Sequence, residues 1–204
     1  MTMKTIMRET KEEWLEDRRG RITGTSADKI LSKRDKKPLK GFYQLLADRV
    51  AIPETDENKM DRGLRLENEA IECFCKETGK KVTHMENTLC YREDEPNIAY
   101  SPDGIVEGEP ADVEVKCKDT ALHIEAIINE EIPSEYEAQI IQGFVVNDEL
   151  KTRYLILYDP RCPRELLYFT LHRADYAEKI ATTLAEQKEI LKQLSELENK
   201  ILNF

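Results

Sequence analysis

The sequence predicts an α+β fold, with a central mixed, largely antiparallel sheet flanked by helices. Two changes of texture along the chain carry that expectation. Helical periodicity dominates up to Thr78 and then gives way, between Val82 and Lys118, to short apolar segments divided by turn residues. Helical patterns return from Ala121 to Val146, followed by two strand-like runs and a long final helix. The 204 residues, 40% of them hydrophobic, are enough to bury one substantial core, so a single domain over 1–204 is expected.

In order, Lys11–Asp17 reads as a helix, and the glycine-punctuated loop Arg19–Gly24 leads to Thr25 and Ser26, which cap a second helix through Leu31. A helix over Gly41–Val50 is closed by Pro53 and a polar stretch. Asp61–Thr78 sets Leu64, Ala70, Ile71 and Phe74 among charges and stops at Gly79, the pattern of a two-sided helix. These helices make residues 1–80 a helical N-terminal region.

The segments Val82–Asn87, Leu89–Arg92, Ala99–Tyr100, Gly104–Glu107 and Val113–Lys118 predict an antiparallel meander, with turns at Glu95-Pro96-Asn97, Pro102-Asp103-Gly104 and Gly108-Glu109-Pro110. Ala121–Asn129 and Ser134–Val146 are helices, the second capped by Ser134. Tyr154–Tyr158 and Glu165–Leu171 are strands, and 174–202 is one helix. Leu184, Leu191, Leu194 and Ile201 approach a heptad, but Gln187 and Glu198 interrupt it, which favours a helix lying on the sheet over a coiled coil.

Charge adds a polarity. The net charge of −10 points away from a polyanionic partner, yet Arg18–Lys40 carries a local +7, leaving −17 elsewhere. One end can face nucleic acid while the rest repels it. The five cysteines include no C-x-x-C pair, so neither a disulfide framework nor a zinc ribbon is indicated, and reduced thiols of the cytoplasm are expected. His84, His123 and His172 are scattered and read as structural or surface residues. No apolar run reaches membrane-spanning length, so no membrane partner is expected.

Ser101-Pro102-Asp103-Gly104 followed by Glu114-Val115-Lys116 is the most informative stretch. Pro-Asp-Gly alone is an ordinary turn, and Glu-x-Lys alone an ordinary strand face. Together they place one acid on a turn and a second acid on the next strand, with an ammonium two residues on and therefore on the same face. Hard oxygen ligands hold Mg²⁺, the ion activates water and screens phosphate, and a nearby cation orients the attack. Asp103 and Glu114 are the expected metal ligands, the Val115 carbonyl a third, and Lys116 the partner of the nucleophilic water.

The order of further pieces resembles the lambda exonuclease family, whose members include YqaJ-type viral recombinases of the PD-(D/E)XK nuclease superfamily. The likeness runs from Trp14 to Arg161: Trp14 through Arg18, Gly20, Ile22-Thr23, Thr25, Gly63, Glu67, Ala70, the two segments above extended to Cys117, Tyr136-x-x-Gln139 and Tyr158-Asp159-Pro160-Arg161. It implies a restriction-endonuclease-like core and a metal-dependent exonuclease that degrades the 5′-ended strand of duplex DNA. Release of mononucleotides would leave a 3′ strand for a single-strand annealing partner.

By the same resemblance Glu67 assists the metals, of which there would be two (Mg²⁺, with Mn²⁺ a substitute). Gln139 supports the water or the lysine, and Tyr136, three residues away on one helix face, lines the cleft. Arg18 would bind the terminal 5′ phosphate with Thr25 or Ser26, while Arg19 and Arg21 add charge beside it. A homotrimer in the cytoplasm of a bacterial host, of phage or prophage origin, is implied too. The chain departs from the family at Lys118, where proline is common. Another PD-(D/E)XK deoxyribonuclease, of repair or restriction type, and a non-catalytic DNA-end binder are the alternatives.

Overall fold

The computed structural model describes residues 10, 13, 32, 34–35, 37–52, 59–85, 88–117 and 119–202, with backbone alone at 59–64, 194–195 and 197–202. The helices expected over 11–17 and 25–31 lie outside the described residues. The chain falls into two compact units, the first holding residues 118–131 and 159–165 with the N-terminal part, the second the remainder.

In the first unit, α1 (Lys40–Val50) and α3 (Thr120–Asn129) pack together. Tyr43 and Ala47, one helical turn apart, meet Ala121, Ile124 and Cys162 in a small core. Asp119 caps α3 by accepting the Ala121 amide at 2.9 Å, and Glu130 ends the helix in the left-handed region at φ 53°. His123 is buried against this core, with Nε2 2.9 Å from the Arg164 carbonyl.

The second unit is built on a five-stranded sheet in the order β1-β4-β5-β6-β7, comprising Val82–His84, Gly104–Val106, Ala111–Lys116, Thr152–Tyr158 and Leu166–His172. All neighbours are antiparallel except β5 and β6, which run parallel with Glu114 opposite Leu155 and Lys116 opposite Leu157. The mixed, largely antiparallel sheet is therefore present, but the uninterrupted meander is not. β2 (Cys90–Tyr91) and β3 (Ala99–Tyr100) form a separate two-stranded hairpin, and β1 pairs with β4 across it. Local turn signals identify strands but carry no information on which strand is the neighbour, and the hairpin's two-residue strands are too short to contribute to the large sheet.

One sheet face is covered by α2 (Lys59–Thr78). Leu66, Ala70, Ile71 and Phe74 recur along one side of this helix and pack on Val113 and Val115 of β5 and on Tyr154, Ile156 and Tyr158 of β6. Thr78 closes the helix by donating its hydroxyl to the Phe74 carbonyl at 2.7 Å, and Gly79 follows at φ 71°.

The region expected as one helix from Ser134 begins with a 3₁₀ turn, Ser134–Tyr136, before α4 (Glu137–Val146). Tyr136, rather than Ser134, occupies the cap position of this helix. Pro133 and the tight turn that follows it displace the helix start by three residues. The last helix, α5 (Ala177–Leu202), likewise follows a 3₁₀ turn, Arg173–Tyr176, and its chief partner is α4 rather than the sheet. Gln187, which breaks the heptad, bonds Gln142 of α4 at 2.6 Å, so the polar residue marks a helix contact. Among the described residues no helix is long and apolar enough to cross a membrane.

Candidate active site

β5 is the centre of the sheet, and alternation divides its side chains between two environments. Ala111, Val113 and Val115 join the apolar core under α2. Asp112, Glu114 and Lys116 point the other way. The turn 101–103 delivers Asp103 to this strand. Its amide donates to the Val113 carbonyl at 3.1 Å, and its carboxylate accepts the Val115 amide at 2.6 Å. Gly104 makes this approach possible, because a β-carbon there would lie 2.5 Å from Val82 Cγ1 and 3.0 Å from Val113 Cγ2.

Both carboxylate oxygens of Glu114 are engaged by cations: Lys116 Nζ lies 2.5 Å from Oε1 and Arg153 Nη2 3.4 Å from Oε2. Burial raises the Asp103 carboxyl to about 7, the negative charge of Glu114 adds to that, the Val115 amide opposes it, Glu67 raises it further and Lys116 lowers it. The Asp103 carboxylate is thus buried beside a second negative charge, with Lys116 and Arg153 both drawn to Glu114. That is the electrostatic situation a hard divalent cation relieves. Among the described residues no group of three or more Asp, Glu, His or Cys side chains is gathered to hold a metal. Asp103 and Glu114 would supply the protein carboxylates, and other positions would fall to backbone oxygen, water or phosphate, as suits Mg²⁺.

The other expected residues are placed as follows. Glu67, half-buried on α2, acts on Asp103 through its charge but does not complete a three-acid cluster. Tyr136, at the end of the 3₁₀ turn, is buried, whereas Gln139 in the first turn of α4 is exposed. Gln139 is nevertheless tied to the centre through its backbone, its carbonyl accepting Arg153 Nη1 at 2.6 Å. Arg18, Arg19, Arg21, Thr25 and Ser26 lie outside the described residues.

Sequence reasoning missed the arrangement behind Glu114. Arg153, 1% exposed, donates Nε to Asp112 Oδ1 at 2.8 Å and Nη1 to the Gln139 and Ile140 carbonyls at 2.6 and 2.9 Å. Its guanidinium sits 5.4 Å from the Tyr100 ring centroid, over the hairpin. Burial works against the Arg153 charge, but Asp112 and Glu114 outweigh it and hold the guanidinium protonated. Burial pushes Asp112 upward against the pull of Arg153 and, more weakly, of the Tyr100 side chain. The available signal was an acid and an arginine at the second positions of two apolar strands.

With this geometry in place, comparison with known proteins is informative. A family model described as the YqaJ-like viral recombinase domain matches residues 13–149. No curated protein matches. Two solved structures are similar over 93% of this chain and 99% of their own. One, an alkaline exonuclease (LHK-Exo) from Laribacter hongkongensis, has 25% identity and a TM-score of 0.55. The other, LHK-Exo in complex with dAMP, has 26% identity and a TM-score of 0.54.

Proposed function

The chain belongs to the YqaJ-like viral recombinase family, and from that premise we propose that it is a metal-dependent exonuclease acting on the ends of double-stranded DNA. One observation carries the reading: the Asp103 carboxylate is held at the Val115 amide, beside Glu114 and its partner Lys116. The similarity to an alkaline exonuclease, one structure of which contains dAMP, supports a mononucleotide product.

A bound Mg²⁺, or Mn²⁺ in its place, would lower the pKa of a water molecule and offset phosphate charge. Asp103, Glu114 and the Val115 carbonyl are the proposed oxygen donors, with Glu67 adding negative charge nearby for a second ion. Lys116 would leave Glu114 Oε1 to orient the attacking water, its stem being long and its side chain 16% exposed. Gln139, in the first turn of α4, would approach the same water. Arg18, with Thr25 or Ser26, is assigned the terminal 5′ phosphate, while Arg19 and Arg21 strengthen the hold on the duplex. Hydrolysis would proceed 5′→3′ and leave a 3′ single strand for an annealing protein, as phage-type recombination in a bacterial cytoplasm requires. Trapping of the duplex within a homotrimer would supply processivity.

The test is digestion of linear duplex DNA, with and without a 5′ phosphate, across Mg²⁺ concentrations and beside a covalently closed circle. Metal-dependent loss of the 5′-phosphorylated strand with mononucleotide release is expected, and the circle should persist. Cleavage of the circle, or attack on the 3′-ended strand, would overturn the reading. Arg18→Ala should remove the preference for phosphorylated ends without abolishing hydrolysis.

A further inference from the structure

We infer that Arg153 is a positioning residue that sets the metal affinity of the centre, by fixing the Glu114 carboxylate against β5 and coupling it to the first turn of α4. The inference rests on the metal reading above. Four observations support it. Arg153 is 1% exposed, so its charge is retained in the interior, where an arginine is almost never buried unless paired. Its hydrogen bonds reach both sheet and helix: Asp112 and Glu114 on β5, and the carbonyls of Gln139 and Ile140 on α4.

The bonds also divide Glu114 into two unlike halves. Oε1 is held by Lys116, a flexible ammonium that reaches solvent, whereas Oε2 faces a guanidinium fixed by three other acceptors. A cation arriving at the centre can displace the first contact and leave the second unchanged. Finally, Asp112 holds Arg153 from the far side. It is 0% exposed, it lies one strand alternation from Glu114, and its Oδ1 takes the Nε proton at 2.8 Å. Asp112 therefore anchors the arginine, and the chain Asp112–Arg153–Glu114 acts as a rigid backing for one ligand. Such backing groups orient a ligand before the ion is bound, and their loss weakens metal affinity about 10- to 100-fold.

The experiment is calorimetric titration of Mn²⁺ into the full, DNA-free chain and into three variants, with thermal melting recorded on each. Arg153→Lys keeps the charge but cannot span Asp112, Glu114 and the two carbonyls. Mn²⁺ binding should weaken by about tenfold or more. Asp112→Asn removes the anchor and leaves every proposed ligand in place, so a smaller loss in the same direction is expected. Arg173→Lys is the comparison. Arg173 also ties carbonyls, those of Phe144 and Asn147, but contacts no proposed ligand, so this variant should lower Tm with Mn²⁺ affinity unchanged.

If Arg153→Lys does not fold, Asp112→Asn decides alone. Folded variants that bind Mn²⁺ within twofold of the parent overturn the role of Arg153. So does a loss of affinity in Arg173→Lys equal to theirs. A parent protein that takes up no Mn²⁺ overturns instead the metal reading on which this inference stands.

Discussion

Gly143 lies directly beneath Arg153: a β-carbon on Gly143 would come within 2.3 Å of the guanidinium Cζ and Nη1. The arginine reaches the α4 carbonyls only because this helix position has no side chain. In an ordinary helix, glycine to alanine gains about 1 kcal/mol of propensity. Here the sign should reverse. Gly143→Ala must push a fully buried, five-donor group off its acceptors, and overpacking of this kind costs about 1–3 kcal/mol. Urea denaturation should show a lower midpoint with little change in slope, and an increase in stability would contradict the packing described.

Phe74 is fully buried between the rings of Tyr154, at 5.1 Å, and Tyr168, at 5.2 Å. It fastens α2, with Glu67 on it, to the central strands. Phe74→Ala should cost about 3–5 kcal/mol through lost burial and a residual cavity. The thermal midpoint reports it, and a variant melting as the parent does would show that α2 is not held by this contact.

Lys116 contacts Glu114 in the absence of substrate, yet its proposed task arises during hydrolysis. Lys116→Ala should therefore lower the rate of DNA digestion by about 10²–10³-fold at saturating metal while end binding persists. Gel-shift and product-release assays on the same preparation separate the two. A variant that cuts at the parental rate would remove Lys116 from the chemistry.

Asp103 gives a pH signature with a definite sign. Its carboxyl is raised to about 7 in the folded, metal-free chain from an ordinary value near 3.8. Its contribution to stability is accordingly complete below the unfolded value and is lost as pH rises through about 7. Metal-free protein should lose stability between these limits, and Asp103→Asn should flatten that decline. Because a proton competes with the cation, Mg²⁺ affinity should rise about tenfold per pH unit below 7 and level off above it. Calorimetry at several pH values in buffers of different ionisation enthalpy measures the released proton, and none being released at pH 6 would refute the crowding at this site.

Much of the centre was legible because it is local. The turn at Asp103 and the alternation Glu114-Val115-Lys116 need only the periodicity of a strand, and the 2.5 Å Lys116–Glu114 contact follows from it. The α2 stripe was legible for the same reason, its Ala70, Ile71 and Phe74 recurring at helical spacing. What escaped depends on partners distant in the chain. The strands were read as starting at Val113 and Tyr154, whereas they start at Ala111 and Thr152. The residues left out include Asp112 and Arg153, which are 41 positions apart in sequence and opposite one another in the sheet. Charged residues at a strand boundary look like solvent-facing ends, and only the parallel pairing turns them inward. The meander is interrupted for a similar reason, β1 pairing with β4 past the separate hairpin of β2 and β3.

The parallel junction of β5 and β6 has a consequence for biosynthesis. A nascent chain that has emerged only as far as Lys151 contains Asp103, Asp112, Glu114 and Lys116, but nothing yet opposite the inner edge of β5. Its acidic residues can be buried only when Thr152–Tyr158 arrives and brings Arg153 with it, after a long stretch of intervening polypeptide has been made. Maturation of the centre is thus deferred until the sixth strand has been made, and a prematurely terminated product lacking that strand should be inert.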